Sequence, residues 1–232
     1  GGHASAPPPH TAVGKLSKAC AAVENHPFPA RLSKPAEELF DMLGRRSTFL
    51  YRMIFANLGL FRGALDAICK KSGGELNALM RTTVAFTQMS GSKGMNVLPP
   101  YAEMVANLRI MCGESVEDCV KYLKKIVADD EIRTEVVYGM NPSNVSETQG
   151  EAWNMMKKAV SQTWKEALVD PYLMLACSDS RHYSEISDHV YRFSAMALSK
   201  EERASIHGND ERILLEKIVR TVEFYLRLLY QF

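Results

Sequence analysis

The sequence lacks most of the features that would mark a nucleic-acid-binding, membrane-spanning or disulfide-built protein. Its 28 Lys and Arg are almost matched by 27 Asp and Glu, for a formal net charge of +1. Binding that relies on counterion release from a phosphate backbone needs a basic excess, so this balance argues against it. Only five cysteines occur (Cys20, Cys69, Cys112, Cys119 and Cys177), and no two are close together. That spacing fits neither a zinc knuckle nor a redox motif. Reduced thiols in a cytoplasmic protein are the expected state. There is no HExxH pair; His182 and His189 are seven apart. No signal peptide is visible. Residues 49–61 form the one candidate membrane segment, but they are too short for a span and contain Arg52 and Asn57. A core helix is the expectation there.

What is present is enough for a packed interior. The 232 residues are 46% hydrophobic, which suits one large domain or two small ones. Chemistry-bearing residues concentrate in 178–212. Asp179 and Arg181 follow the apolar run 172–176, and His207-Gly208-Asn209-Asp210-Glu211-Arg212 precedes a long helical pattern. A guanidinium grips a carboxylate through two parallel hydrogen bonds, and an imidazole on a tight turn suits a metal ion or a proton relay. Each cluster also has a plainer reading. Asp179 and Arg181 make a surface ion pair, and His207-Gly208 closes a loop.

The hydrophobic pattern divides the rest. Residues 1–10 read as loop, and 11–23 as a helix with Val13, Leu16, Cys20 and Val23 on one face. Residues 29–71 read as a helical insertion, with Pro35 near one helix start, Gly44 at its end, and Met53, Ile54, Leu58 and Phe61 on a second apolar face. Strands are expected at 82–89, 101–111 and 132–138. Met104, Ala106, Leu108 and Ile110 face one way along the second, and Glu103, Val105, Asn107 and Arg109 the other. Ser115 with Asp118 caps a helix bearing Val116, Cys119, Val120, Leu123 and Val127. Helix, strand, strand, helix, strand is most of a ferredoxin-like sandwich. A domain boundary falls after residue 138. Beyond it, Thr148 and Glu151 read as a capping box, Trp153 and Trp164 as core residues, 171–177 as a buried strand, and 211–230 as a helix burying Leu215, Ile218, Val219, Val222, Leu226 and Leu229.

Four spaced motifs together resemble one family. Gly1-Gly2-His3-Ala4-Ser5 with Pro7, Gly94-Met95-Asn96-Val97-Leu98-Pro99, Asn107-Leu108-Arg109-Ile110, and the run from Asp179-Ser180-Arg181-His182-Tyr183 to His207-Gly208-Asn209-Asp210-Glu211-Arg212 follow the family's order. They are similar to the dinuclear zinc aminoacylases and carboxypeptidases, the co-catalytic zinc amidohydrolases. The resemblance implies an α/β protein with an α+β lid. Residues 1–138 would be a ferredoxin-like lid or dimerisation domain, and 139–232 the C-terminal part of the catalytic domain. It also implies that the catalytic domain's first half, with most metal ligands and the general base, is not in this sequence, so that the chain is a fragment and inactive alone.

The same resemblance assigns roles. His3 would reach across a homodimer to stabilise the oxyanion formed when an amide is attacked; otherwise it is a solvated loop histidine. Asn96, Arg109 and Arg181 would hold the substrate's carboxylate and scissile carbonyl. His207 would ligate one of two zinc ions, with Glu211 and Asn209 supporting its turn. The implied substrate is a small peptide or an N-acyl amino acid, with no nucleic acid or membrane partner. The insertion would either shape an acyl pocket or merely pack the lid. A dimerisation scaffold without activity, or an inactive relative serving as a binding module, stays open beside the hydrolase.

Overall fold

The computed structural model describes residues 1–175 and 178–232, which fold as two compact units, Gly1–Ser143 and Asn144–Phe232. The first unit opens with strand β1 (Gly2–His3) and helix α1 (Ala12–Asn25), which Thr11 caps by accepting a hydrogen bond from the Gly14 N–H. The helical insertion follows as α2 (Lys34–Arg46), α3 (Phe49–Ala56), α4 (Leu58–Ser72) and the short α5 (Gly74–Ala78). Pro35 sits in the first turn of α2 as expected, because its missing N–H costs nothing there. Gly44 lies inside that helix rather than ending it. Its bare Cα lets the Phe55 ring approach, and a Cβ at position 44 would stand 2.7 Å from Phe55 Cβ.

The insertion's core joins Ala36, Phe40, Leu65, Cys69 and Met80, with Phe55 and Leu58 packed against it. The core-helix expectation for 49–61 is therefore met only by its inner residues. No residue of α3 is fully buried, and Phe49 is 82% exposed. Phe55 and Tyr51 stack towards Phe40, which leaves Phe49 and Leu50 on the opposite side of the helix.

Arg81 anchors the insertion to the sheet that follows, and it is only 2% exposed. Its guanidinium donates to the Asn77 side chain at 2.9 Å and to the Phe28 carbonyl at 2.8 Å, and it pairs with Asp66. Nothing in the hydrophobic pattern marks this arginine as interior.

Strand β2 (Thr83–Ser90) runs antiparallel to β4 (Glu103–Arg109), with β3 (Val97–Leu98) in the connection. The register opposes Thr83 to Arg109 and Ser90 to Glu103, with a bulge between Phe86 and Gln88. Along β4, Met104, Ala106 and Leu108 are half-buried while Glu103, Val105, Asn107 and Arg109 are exposed, the alternation read from the sequence. Cys20 of α1 meets Met104. Helix α6 (Val116–Val127) packs beside α1 and starts at a full capping box, with the Asp118 N–H donating to Ser115 Oγ at 3.1 Å and the Ser115 N–H to Asp118 at 3.1 Å.

The expected strand at 132–138 does not form. A strand needs a neighbour for its N–H and C=O groups, and among the described residues β2 and β4 pair only with each other. Val137 and Tyr138 are exposed. The first unit is thus α+β, with two small antiparallel pairs, β1 with β3 and β2 with β4.

The described part of the second unit is helical: α7 (Glu151–Thr163), α8 (Ser180–Tyr183), α9 (Lys200–Ala204) and α10 (Leu215–Leu229). Helix α7 begins at Glu151, after Gly150 at φ 87°, so Glu151 is its first residue and not the third that a capping box with Thr148 requires. Residues 171–175 carry no regular structure, and Ala176 and Cys177 lie outside the described residues. The core joins Ala159 and Val160 of α7 to Ala195 and Phe224, with Trp164 packed against them. Trp164 meets Phe193 and Phe224 at ring separations of 6.2 and 5.8 Å, the core role expected of it.

The buried face expected for the last helix is overturned. Phe224 is its buried residue, whereas Leu215, Ile218, Val219, Val222, Leu226 and Leu229 are all exposed. Helix α7 is the element that packs on α10, and it covers the side bearing Phe224 and Leu228.

Candidate functional site

The pairing of β1 with β3 builds the best-defined corner. His3 stands opposite Val97, and the Ala4 N–H donates to the Asn96 carbonyl at 2.9 Å. His3 and Asn96, 93 positions apart in sequence, thereby become neighbours on an exposed edge. Each sits in a self-bonded loop. On one side the Ala6 N–H donates to the His3 carbonyl at 3.3 Å, and His3 Nδ1 lies 2.8 Å from Ser5 Oγ and 3.2 Å from the Ser5 amide nitrogen. On the other, the Val97 N–H donates to the Gly94 carbonyl at 3.3 Å, and the Gly94 N–H to Ser92 Oγ at 3.1 Å. Gly94 packs closely on this turn, since a Cβ there would stand 3.2 Å from Val97 Cγ2.

Arg109 is elsewhere in the same unit. It ends β4 opposite Thr83, whereas the loop with Asn96 joins the other end of the β2–β4 ladder, where Ser90 meets Glu103. At about 3.3 Å per residue the strand separates the two ends by roughly 20 Å. One copy of the unit brings the backbone segments of His3 and Asn96 together and does not bring Arg109 to them.

In the second unit, Arg181 lies on the single turn of α8, half-buried. Its backbone N–H donates to the Ser178 carbonyl at 3.2 Å. His207 is exposed and follows α9 at φ 64°, the left-handed region in which histidine is tolerated better than most residues. Its N–H donates to Glu211 at 2.9 Å, the supporting role expected of that carboxylate. The Gly208 N–H donates to the Ser205 carbonyl at 2.8 Å. Helix α9 carries a capping box of Ser199 with Glu202, and the same Glu202 takes a hydrogen bond from Lys217 of α10 at 2.6 Å. The Lys217 ammonium holds the Glu202 carboxyl below the usual range. This clamp across the His207 loop was missed in the sequence, where the only signal is the Ser-x-x-Glu spacing.

Within the insertion, a cavity of about 450 Å³ is lined by Asp41, Gly44, Arg45, Arg52 and Ala56. Arg45 donates to Asp41 at 2.9 Å, so an ion pair stands within a lining that is otherwise mostly apolar.

Residues 1–135 match the peptidase dimerisation domain of the M20 peptidases, more than half of the chain. The chain belongs to the M20 metallopeptidase family. It is 31% identical over 230 residues to a probable carboxypeptidase S-like 2 of Dictyostelium discoideum, covering 99% of this chain and 44% of that protein. It is 30% identical over 231 residues to the N-fatty-acyl-amino acid synthase/hydrolase PM20D1.1 of Danio rerio, covering 98% and 45%. With its Bos taurus counterpart PM20D1 the identity is 31% over 227 residues, covering 96% and 45%. This M20 chain therefore spans less than half the length of these relatives. No solved structure matches it significantly. M20 peptidases generally use metal ions. Among the described residues no group of three His, Cys, Asp or Glu could hold one, and no helix is long and apolar enough to cross a membrane. A zinc ion takes four ligands, so His207 with its neighbours does not fit one unaided.

Proposed function

We propose that this chain is the dimerisation part and C-terminal portion of an amidohydrolase that cleaves an amide next to a free carboxylate, in an N-acyl amino acid or at a peptide C-terminus. The observation that carries the reading is the β1–β3 pairing, which brings the backbone segments bearing His3 and Asn96 next to each other on an exposed edge. An imidazole N–H and a carboxamide NH₂ are hydrogen-bond donors without formal charge. Donors set in advance around a developing oxyanion are often the largest single catalytic contribution. Arg109 and Arg181 would grip the substrate's carboxylate, and His207 would supply one metal ligand, the others coming from outside this chain. The distance between Arg109 and the His3 corner favours a site assembled from two subunits. The names of the relatives, which concern carboxypeptidases and N-fatty-acyl-amino acid hydrolases, support this substrate class.

The test is subunit complementation in the enzyme that contains this chain. His3→Ala and His207→Ala should each lose activity against N-acyl amino acids and dipeptides. Random re-pairing of the two variants makes about half the dimers mixed, each with one complete site, and so restores about a quarter of wild-type turnover. No recovery on mixing would place His3 in its own subunit's site or outside any site. A second reading is a dimerising scaffold without activity, supported by the match of residues 1–135 to a dimerisation domain. Sedimentation with zinc analysis of the enzyme that contains this chain separates the two, since a metal-free dimer supports the scaffold and tight stoichiometric zinc the hydrolase.

A further inference from the structure

We infer that Ser5 is a positioning residue, which fixes the neutral ring of His3 as the tautomer with its proton on Nε2. The inference deepens the reading of His3 as an oxyanion donor and rests on it for its functional meaning. The geometry itself does not depend on that reading.

A neutral imidazole has one N–H and one bare nitrogen, and its partners decide which is which. The Ser5 hydroxyl, 2.8 Å from His3 Nδ1, leaves the matter open, because a hydroxyl donates or accepts. The Ser5 backbone N–H decides it. It can only donate, and its nitrogen lies 3.2 Å from the same Nδ1. Nδ1 is therefore the acceptor, the hydroxyl donates to it as well, and the ring proton resides on Nε2. The arrangement is the one Asn and Asp use in turns, a side chain accepting from the N–H two residues on. The loop keeps it in place through the Ala6 N–H on the His3 carbonyl and the Ala4 N–H on the Asn96 carbonyl.

This settles what His3 offers a ligand. A metal ion needs a bare ring nitrogen, and the one bare nitrogen is engaged by Ser5. What remains is an N–H, which suits an oxygen that is anionic or becoming so. His3 is thus built as a donor and not as a metal ligand, in contrast to the role proposed for His207.

The test uses the 232-residue chain labelled with ¹⁵N, at a pH where the ring is neutral. Long-range ¹H–¹⁵N spectra report which ring nitrogen carries the proton. A ¹⁵N–¹⁵N correlation through the hydrogen bond reports the Ser5 partner. The expected result is a single Nε2–H tautomer with a cross-peak from the Ser5 amide to His3 Nδ1. Ser5→Ala keeps the amide and loses the hydroxyl, so the tautomer should persist with a cross-peak at least as strong, because the amide no longer shares Nδ1 with a second donor. A peptide of residues 1–9 should show both tautomers in exchange. A proton on Nδ1, or averaging in the folded chain equal to that in the peptide, overturns the inference. The spectra need no turnover. If Nε2–H is found and His3→Ala leaves the enzyme's activity intact, the oxyanion reading falls and the assignment of Ser5 stands.

Discussion

The backbone N–H of His207 donates to the Glu211 carboxylate at 2.9 Å, and this bond helps hold a non-glycine residue at a left-handed φ of 64°. Such conformations persist where surrounding contacts over-determine them. Here those contacts are Glu211, the Gly208–Ser205 backbone bond and the Lys217–Glu202 clamp.

Gly208 is the most sensitive point of that turn. A Cβ there would lie 2.9 Å from the Ser205 carbonyl oxygen, which is backbone and cannot swing aside. Gly208→Ala should therefore destabilise the chain by about 1–3 kcal/mol, the usual cost of forced overpacking. Glu211→Ala, which removes one exposed hydrogen bond, should cost about 1 kcal/mol. Urea unfolding curves measure both, and a Gly208→Ala midpoint equal to wild type would contradict the turn geometry.

Arg81 should be among the costliest positions of the first unit. Its guanidinium is interior and serves Asn77, Phe28 and Asp66 at once. Removing it strips Asp66 of its interior partner, leaving only Lys70 at 3.0 Å, and unpairs the Phe28 carbonyl and the Asn77 side chain, so Arg81→Ala should lose about 3–5 kcal/mol. Adding Asp66→Asn to Arg81→Ala should cost less than Asp66→Asn alone, because the carboxylate has already lost its interior partner and keeps only the exposed Lys70. Strict additivity in this double-mutant cycle would mean that the pair contributes no coupling.

Among the described residues, Cys119 should be the slowest thiol to react. Burial, helped by the nearby Glu114 carboxylate, pushes it up to about 11. The thiolate is the nucleophile, so alkylation of the native chain at pH 8 should spare Cys119 while denatured chain reacts fully. The sign of the linkage follows. A folded pKa above the unfolded one gives stability that is complete below pH 9 and is lost as pH rises towards 11. Cys119→Ala should flatten that alkaline decline in melting temperature.

The Lys217–Glu202 clamp predicts the opposite slope in acid. Glu202 is held below its ordinary 4.5, chiefly by the Lys217 hydrogen bond. Its contribution is present above pH 4.5 and is lost as pH falls through the lowered value. Lys217→Met should make the melting temperature less dependent on pH in that range, with wild type and variant converging at the acid end. Parallel curves would show that the pair adds nothing.

The sequence was most informative where one residue dictates local geometry. Thr11 and Ser115 start their helices because a hydroxyl satisfies an otherwise unpaired N–H, and that requirement is local. The alternation in β4 was readable because its inner face packs within the unit. Misreadings arose where a pattern needed a partner to be realised. Residues 132–138 have strand composition but no neighbouring edge, and Leu215 to Leu229 have an apolar stripe that α7 does not reach. Arg81 was illegible for another reason: burial of a guanidinium depends on Asp66 and Phe28 arriving from distant positions. Of the candidate site, the residues could be named from motifs. That His3 and Asn96 adjoin while Arg109 stands a strand-length away is a matter of register, which motif spacing does not encode.

The uncovered stripe of α10 has a calorimetric consequence. Leu215, Val219 and Leu229 are 79, 66 and 65% exposed, so most of their surface is hydrated before melting as well as after it. The heat-capacity step of unfolding follows the apolar area that becomes newly wetted. These side chains add little to that step, and the unit Asn144–Phe232 should show a smaller increment per residue than a protein of equal size with a closed interior. Its free-energy curve against temperature should accordingly be a low, broad arch.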